Sequence, residues 1–460
     1  MTATTLQEIE VATPRRRWPC YPAYKPSEMA WVRRLPEHWR VFRLKNIASV
    51  RFSTVDKKTE EGETPVRLCN YTDVYNNDRI VDDPEFMQAT ATAEEIARFT
   101  LRRDDVLITK DSEEWNDIAV AAHVTQDMPG VLCGYHLAHI RPHPALVDGA
   151  FLSRAFSADG VRQQFHVAAN GITRYGLPNR AIAGALFPIP PLDEQRAIAA
   201  FLDRETARID ELIAKKQRLI ELLKEKRQAV ISRAVTKGLN PNAPMKPSGI
   251  DWLGDVPAHW KIRSFRYSAR IANGQVDPEQ PEYRDLPLIA PNHIESGTGR
   301  LLSYDTAAEQ AAESGKYLFE PGNVLYSKIR PALAKVCLAP ERGLCSADMY
   351  PITPRNDLRP LYLMYFMLSA EFTTGVVLLS SRVAMPKMNR RDLGGFAVLV
   401  PPLGEQDEII QHLCVEHAKI DTTRAAIEMA IDKLRQYRSA LITAAVTGQI
   451  DVRQYGKEAT

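Results

Sequence analysis

The dominant pattern of apolar and polar positions is a 47-residue stretch that occurs twice. Pro190–Thr236 reads PPLDEQRAIAAFLDRETARIDELIAKKQRLIELLKEKRQAVISRAVT, and Pro401–Thr447 reads PPLGEQDEIIQHLCVEHAKIDTTRAAIEMAIDKLRQYRSALITAAVT. Laid over each other without a gap, 20 of the 47 positions are identical, at an offset of 211 residues. A period that long indicates a duplicated domain and not a solenoid. Each copy opens on Pro-Pro, which stops a strand, and continues through an acidic turn suited to a helix N-terminus. Beyond that turn no Gly or Pro interrupts, and apolar residues recur at heptad spacing. In the second copy the row is Leu413, Ile420, Ile427, Leu434 and Leu441; in the first it is Leu202, Ile209, Lys216, Leu223 and Val230. Such a seam, flanked by charge, predicts a long helix packed on a partner helix. Two long spacer helices are therefore expected over 190–240 and 401–450, stopped by Gly238 and Gly448 and most simply packed on each other.

The segments ahead of the helices also echo one another. YKPSEMAWVRRLPEHWRVFRL from Tyr24 matches MKPSGIDWLGDVPAHWKIRSF from Met245 at Lys25/Lys246, Pro26/Pro247, Ser27/Ser248, Trp31/Trp252, Pro36/Pro257, His38/His259 and Trp39/Trp260. The Trp and Pro content predicts an irregular clamp anchored by two indoles, on its own domain or on a partner. The interiors, 40–189 and 261–400, diverge at the surface while sharing hydrophobic punctuation. In the first, Asp104–Lys110, Ile118–Val124 and Val131–Ile140 read as strands and Gly149–His166 as a helix. In the second, Gly322–Lys328, Ala334–Ala339 and Met349–Thr353 take the strand places and Leu361–Leu379 the helical one. The expected organisation is a mobile tail (1–23), a first mixed α/β (α+β) domain (24–189), helix (190–240), a second such domain (241–400), helix (401–450) and a C-terminal tail (451–460).

Composition narrows this modestly. A net charge of +2 gives no general hint of nucleic acid, and 45% apolar residues suffice for sizeable cores. Arg15–Arg17 precede no apolar stretch of the secretory kind, and the most apolar run, Leu361–Ala370, is too short to span a bilayer. The six cysteines form no C-x-x-C pair. A soluble, reducing, cytoplasmic setting is expected.

Taken together, KPSGIDWLGDVPAHW and PPLGEQDEIIQHL…KID…AVTGQIDV, with KPS…W…LPEHW and PPLDEQRAIAAFLDRETARID…AVTKG, resemble the specificity subunit of type I restriction-modification enzymes from about Tyr24 to Arg453. The resemblance implies a subunit without catalysis of its own. Two target-recognition domains would each read one half of a split double-stranded DNA site. An antiparallel coiled-coil helix pair would fix the gap and dock methyltransferase subunits, and a restriction (motor and nuclease) subunit would complete the enzyme. S-adenosylmethionine, ATP and Mg would belong to those partners. The first copy departs from the pattern at Ala30–Arg34, where Gly254 has no counterpart, so a different local turn is expected there.

Catalytic motifs do not compete with that expectation. The Pro-Pro pairs run into Leu192 and Leu403 instead of completing an adenine-methyltransferase motif, and Ser314-Gly315-Lys316-Tyr317 lacks both ends of a P-loop. Acidic groups such as Asp104-Asp105 and Asp111, Glu113 and Glu114 read as polar turns. Cys133, His136, His139 and His143 lack the tight spacing of zinc ligands, and no metal is expected. The cations Lys215, Lys216, Arg218, Lys224, Lys226 and Arg227 alternate with acids, as on a solvated helix face. Candidates for DNA contact lie instead at matched strand ends, Lys110 in the first interior and Lys328 with Arg330 in the second. Others lie in the loop before each last strand: Arg174 and Tyr175, then Arg382 and Lys387. Two rivals remain at this level, a protein-binding coiled-coil scaffold and a single-chain restriction enzyme.

Overall fold

The computed structural model describes residues 18–355, 357–380 and 386–455. The chain divides into two compact units, one comprising residues 1–215 with 429–460 and the other 216–428. The two long helices are Leu192–Lys237 and Leu403–Val446, of 46 and 44 residues. Each unit therefore takes one part of each helix. Gly238 and Gly448 follow them at φ of +73° and +68°, the left-handed turn that glycine adopts without a Cβ penalty.

In the first unit a five-stranded sheet runs in the order 48–52, 137–142, 106–109, 121–124, 79–80. A four-stranded sheet runs 87–91, 64–69, 128–133, 100–101. In the second unit the order 269–271, 349–354, 324–327, 336–338 reproduces the first four positions of the larger sheet. A smaller sheet, 288–289, 343–345, 317–319, repeats the other: its central strand has one parallel and one antiparallel neighbour, as 128–133 has in the first unit. In each unit the strand that enters the long helix pairs with the strand that leaves the clamp, Leu186–Ile189 with Arg40–Arg43 and Ala397–Val400 with Lys261–Ser264. The mixed α/β class is as expected.

Several element boundaries differ from expectation for local reasons. Val131–Ile140 is two strands, Met128–Cys133 and Leu137–Pro142, lying in different sheets. The turn between them pivots on Gly134, where a Cβ would come within 2.9 Å of the Cys69 carbonyl oxygen, a closeness to a distant segment that the local sequence does not betray. Gly149–His166 is two helices, Gly149–Phe156 and Asp159–Ala168, because Ala158 turns extended. Leu361–Leu379 likewise breaks at Ser369, whose hydroxyl donates to the Phe366 carbonyl (2.7 Å) and accepts from the Phe372 amide (3.2 Å). These apolar helices bury Leu363, Phe366, Met367, Leu368 and Phe372 in the second unit's core. No single described helix is long and apolar enough to cross a membrane.

The described part of the N-terminal tail is pinned, contrary to a mobile tail. Trp18 packs edge-on against Phe201 and Tyr455, with ring centroids 4.8 and 5.0 Å away, and the Asp451 amide donates to the Pro19 carbonyl (2.7 Å). Burying an indole offsets the entropy of ordering a terminus.

The clamp settles on its own unit. Both copies form a short hairpin in the same register, Tyr24–Pro26 on Arg34–Pro36 and Met245–Pro247 on Asp255–Pro257. Their turns close through equivalent bonds, Ser27 N to Arg33 O (3.1 Å) and Ser248 N to Gly254 O (3.2 Å). Gly254 is left-handed at φ +63° and Arg33 is not, so the turns do differ where the sequences do. Trp31 covers Gly160 and Trp252 covers Gly375, each lying where a Cβ would stand.

Trp39 and Trp260 are buried, and their indole N–H groups donate to Glu194 and Glu405 (3.0 Å each) in the first turns of the long helices. His38 and His259 bond the same carboxylates at 2.7 and 2.8 Å. Tyr21 adds a hydrogen bond to Glu194, and burial followed by that acidic neighbour pushes its phenol far up. Pro36 and Trp39 also close around Gly448, as Pro257 and Trp260 do around Gly238.

Next to each glutamate stands a fully buried glutamine. Gln195 accepts from the Asp148 amide (2.8 Å) and donates to the Leu146 and Pro190 carbonyls (3.0 and 2.8 Å). Gln406 repeats this with the Arg359 amide (2.8 Å) and the Asp357 and Pro401 carbonyls (2.9 and 2.8 Å). The "EQ" of each PPLxEQ motif thus ties the helix start to the clamp and to the α/β interior of its unit.

Candidate nucleic-acid interface

The two long helices carry the predicted seam. Leu202, Ile209, Leu413, Ile420 and Leu441 are buried, while Leu223, Val230, Ile427 and Leu434 are half-buried. Arg438 pairs with Asp210 (3.0 Å) in the first unit, and Arg227 pairs with Asp421 in the second; the two pairs are related by the 211-residue offset. Arg227 therefore departs from the solvated face expected for it: its side chain is 9% exposed. Lys215, Lys224 and Arg218 do lie in solvent on local partners, Glu211, Glu221 and Glu225. Arg438 also reaches Asp78 (2.9 Å), which accepts from Arg154 as well (2.7 Å), so the helix is bound to the α/β interior of the first unit. Burial works against ionising Asp78, but the two arginines outweigh it and hold the carboxyl below its usual range.

In the first unit, strand pairing assembles Lys110, Arg174 and Tyr175. Asp111–Ser112 pairs antiparallel with Tyr175–Gly176, the Leu177 amide donates to the Lys110 carbonyl (2.8 Å), and the Lys110 amide donates to the His136 carbonyl (3.2 Å). The Lys110 ammonium lies 4.4 Å from the Tyr135 ring and 5.0 Å from the Phe52 ring. Burial lowers its pKa, with Asp111 pulling the other way. Arg174 donates to Asp111 Oδ1 (2.5 Å), and His136 Nδ1 bonds Asp111 Oδ2 (3.0 Å). Beside them Tyr71 and Tyr75 stack at 5.4 Å, and Tyr75 donates to Asp117 (2.6 Å), a bond that with burial pushes its phenol up to about 12.

The second unit repeats this backbone frame with other side chains. The Met388 amide donates to the Lys328 carbonyl (2.8 Å), the Lys328 amide to the Asp348 carbonyl (2.9 Å), and Ile329 bridges antiparallel to Lys387. The Arg330 amide donates to the Pro386 carbonyl (3.0 Å), so Lys328, Arg330 and Lys387 come together. Arg382 lies outside the described residues. Lys328 and Arg390 both sit over Tyr350, at 5.2 and 5.1 Å. Burial, then Lys387, lowers the Lys328 pKa. Arg330 is exposed and left-handed at φ +47°, an uncommon backbone for a non-glycine residue.

Sequence reasoning passed over Tyr71, Tyr75, Tyr135, Tyr350 and Arg390, and it read Asp111 only as a polar turn and His136 only as a metal candidate. The Cys133/His136/His139/His143 group is dispersed by the strand break at Gly134. Buried His139 bonds Asp105 (2.7 Å), which also takes a bidentate grip from Arg141 (both 2.8 Å). Burial would raise the Asp105 pKa, but these partners lower it. Among the described residues no group of three or more His, Cys, Asp or Glu could hold a metal ion.

Fold and surface define a mixed α/β chain of two units with two long helices, and each unit carries a cationic, aromatic-lined loop cluster. Residues 36–222 and 268–430 match the type I restriction modification DNA specificity domain. The chain belongs to that family. It is 33% identical over 277 residues to the EcoDI type I restriction enzyme specificity subunit of Escherichia coli, a match covering 57% of this chain and 62% of that relative. Over 441 residues it is 21% identical to the putative type I restriction enzyme MjaX specificity subunit of Methanocaldococcus jannaschii, covering 94% and 97% of the two chains.

Two solved structures share the fold. One, from work on complex assembly and conformational transition of the type I R-M system, has a TM-score of 0.68 at 18% identity, covering 90% of this chain and 99% of that one. The HsdS subunit from Thermoanaerobacter tengcongensis has a TM-score of 0.50 at 20% identity, covering 90% and 98%.

Proposed function

We propose that this chain is the DNA-specificity subunit of a type I restriction-modification complex and has no catalysis of its own. Each unit reads one half of a bipartite double-stranded site. The long helices form an antiparallel coiled coil about a pseudo-twofold axis, set the gap between half-sites and dock methyltransferase subunits. A restriction subunit with motor and nuclease activity completes the assembly. S-adenosylmethionine, ATP and Mg belong to those partners.

The observation that carries this is the shared backbone frame around Lys110 and Lys328, with different side chains hung on it in the two units. A common scaffold with divergent polar and aromatic residues suits two different targets, since base edges are read by side-chain identity at a fixed position. The ion pairs Arg438–Asp210 and Arg227–Asp421 support an antiparallel helix pair, because a higher number on one helix goes with a lower number on the other. A pseudo-symmetric protein on a split site follows the rule by which dimers match half-sites.

The test is replacement of residues 40–189, which begin and end on the paired strands Arg40–Arg43 and Leu186–Ile189, by the interior of another family member. One half of the methylated motif should change and the other should stay. If both halves change together, one domain does not read one half.

A further inference from the structure

The first unit holds a polar triad that is not repeated among the described residues of the second. Asp111, with its side chain 18% exposed, accepts from Arg174 Nη2 (2.5 Å) and pairs with His136 Nδ1 (3.0 Å). Arg174 Nη2 also lies 3.4 Å from His136 Nδ1. The Arg174 side chain is 55% exposed and Asp111 engages only one of its nitrogens, so most of the guanidinium fork is open to solvent. Its backbone is fixed from two sides. Tyr175 is paired with Ser112, and a Cβ on Gly171 would stand 1.9 Å from the Arg174 carbonyl oxygen.

The chemistry separates two uses of such an arginine. A carboxylate beside a guanidinium offsets its charge and weakens its pull on a phosphate, which Lys110 nearby can supply instead. The same carboxylate holds the planar fork in one orientation, which is what recognition of two acceptors on one base edge requires. Guanine presents O6 and N7 side by side in the major groove, and arginine is the side chain whose two N–H groups match them. His136, edge-on to Tyr135 with centroids 5.2 Å apart, steadies the carboxylate from the other side. In the second unit the positions of Asp111 and His136 are taken by Ile329 and Asp348, so no such buttress forms there.

We infer that Arg174 reads a guanine in the half-site of the first unit, with Asp111 and His136 as its positioning residues. The inference rests on the half-site reading above. It is tested in the complex of the full chain with its methyltransferase partner, by mapping every methylated site for the wild type and for R174A, R174K, D111A and D111N. The wild type should require guanine at one position of one half-site. R174A should relax that position alone, by between about 5-fold and 150-fold in preference. D111A should relax the same position, and the double variant no further, since both changes remove one interaction.

D111N keeps an amide oxygen to accept from Arg174 and should retain most of the preference, whereas R174K should lose it because an ammonium cannot span two acceptors. Equal weakening on all sequences would make Arg174 a phosphate contact, and an unaltered motif would remove it from the interface; either result overturns the inference. Melting temperatures of the variants within a degree or so of the wild type separate these outcomes from misfolding, and R174K serves where R174A does not fold. A wild-type complex that methylates no bipartite motif would defeat the half-site reading itself.

Discussion

If the long helices are a ruler, lengthening both should widen the gap between half-sites and leave the half-sites alone. Seven residues inserted after Lys216 and after Ile427 fall at matched positions, within a residue or so of where the chain divides into its two units. The pairs Arg438–Asp210 and Arg227–Asp421 survive, since both members of each lie on the same side of the insertions. Glu211–Lys215 is untouched, and only the surface pair Arg424–Glu428 is cut, at a cost of about 0.5 kcal/mol. Seven residues make two helical turns less ~20°, so the apolar seam stays close to register. At ~1.5 Å per residue the helices lengthen by about 10 Å, or roughly three base pairs at ~3.4 Å each. Three base pairs also turn the duplex by about 100°, and whatever part of that rotation the protein or DNA does not absorb reduces the gain. The expected motif keeps both half-sites and gains one to three unspecified base pairs. The assay is methylation mapping in cells carrying the lengthened chain with its partner. An active enzyme with the original gap would show that the helices do not set the distance.

Gln406→Ala removes three hydrogen bonds from a fully buried site and leaves the Arg359 amide and two carbonyls unpaired, so chemical denaturation should show a loss of about 2–5 kcal/mol; a change under about 0.5 kcal/mol would mean that the motif glutamine does not fasten the helix to its domain. Arg330→Gly takes away an exposed cation while relieving the left-handed backbone at φ +47°. It should weaken binding to all sequences alike and lower the salt slope by about one, with no loss of stability; relaxation at a single base position would make Arg330 a base reader. Freed of partner subunits, the purified chain should neither methylate nor cleave DNA, and turnover by such a preparation would refute the non-catalytic assignment.

The clamp and the cation loops differ in how far the sequence reveals them. Repetition exposed Trp39 and Trp260 as anchors, but nothing local says that they grip Glu194 and Glu405, which stand 155 and 145 positions away. Lys110, Arg174 and Tyr175 were legible as cations and an aromatic beside strand ends. That Asp111 joins Arg174 to His136 was not, because it depends on the pairing of Asp111–Ser112 with Tyr175–Gly176 across more than sixty residues. In the second interior Ile329 fills the place of Asp111, so comparing the two copies could not disclose the triad either.

What the sequence determined by itself is whatever short-range order controls. The duplication, the run of each long helix between Pro-Pro and Gly, and the α/β character of the interiors all follow from periodicity and from residues that stop a helix or strand wherever they stand. Tertiary structure decided the rest. It broke Val131–Ile140 at a glycine pressed against Cys69, pinned Trp18 in a core, buried Arg227 against Asp421, and chose which polar side chains share a carboxylate. Those outcomes turn on strand register and on close approach between distant segments; a one-residue slip of Asp111–Ser112 along Tyr175–Gly176, for instance, would turn Asp111 to the opposite face of the pair.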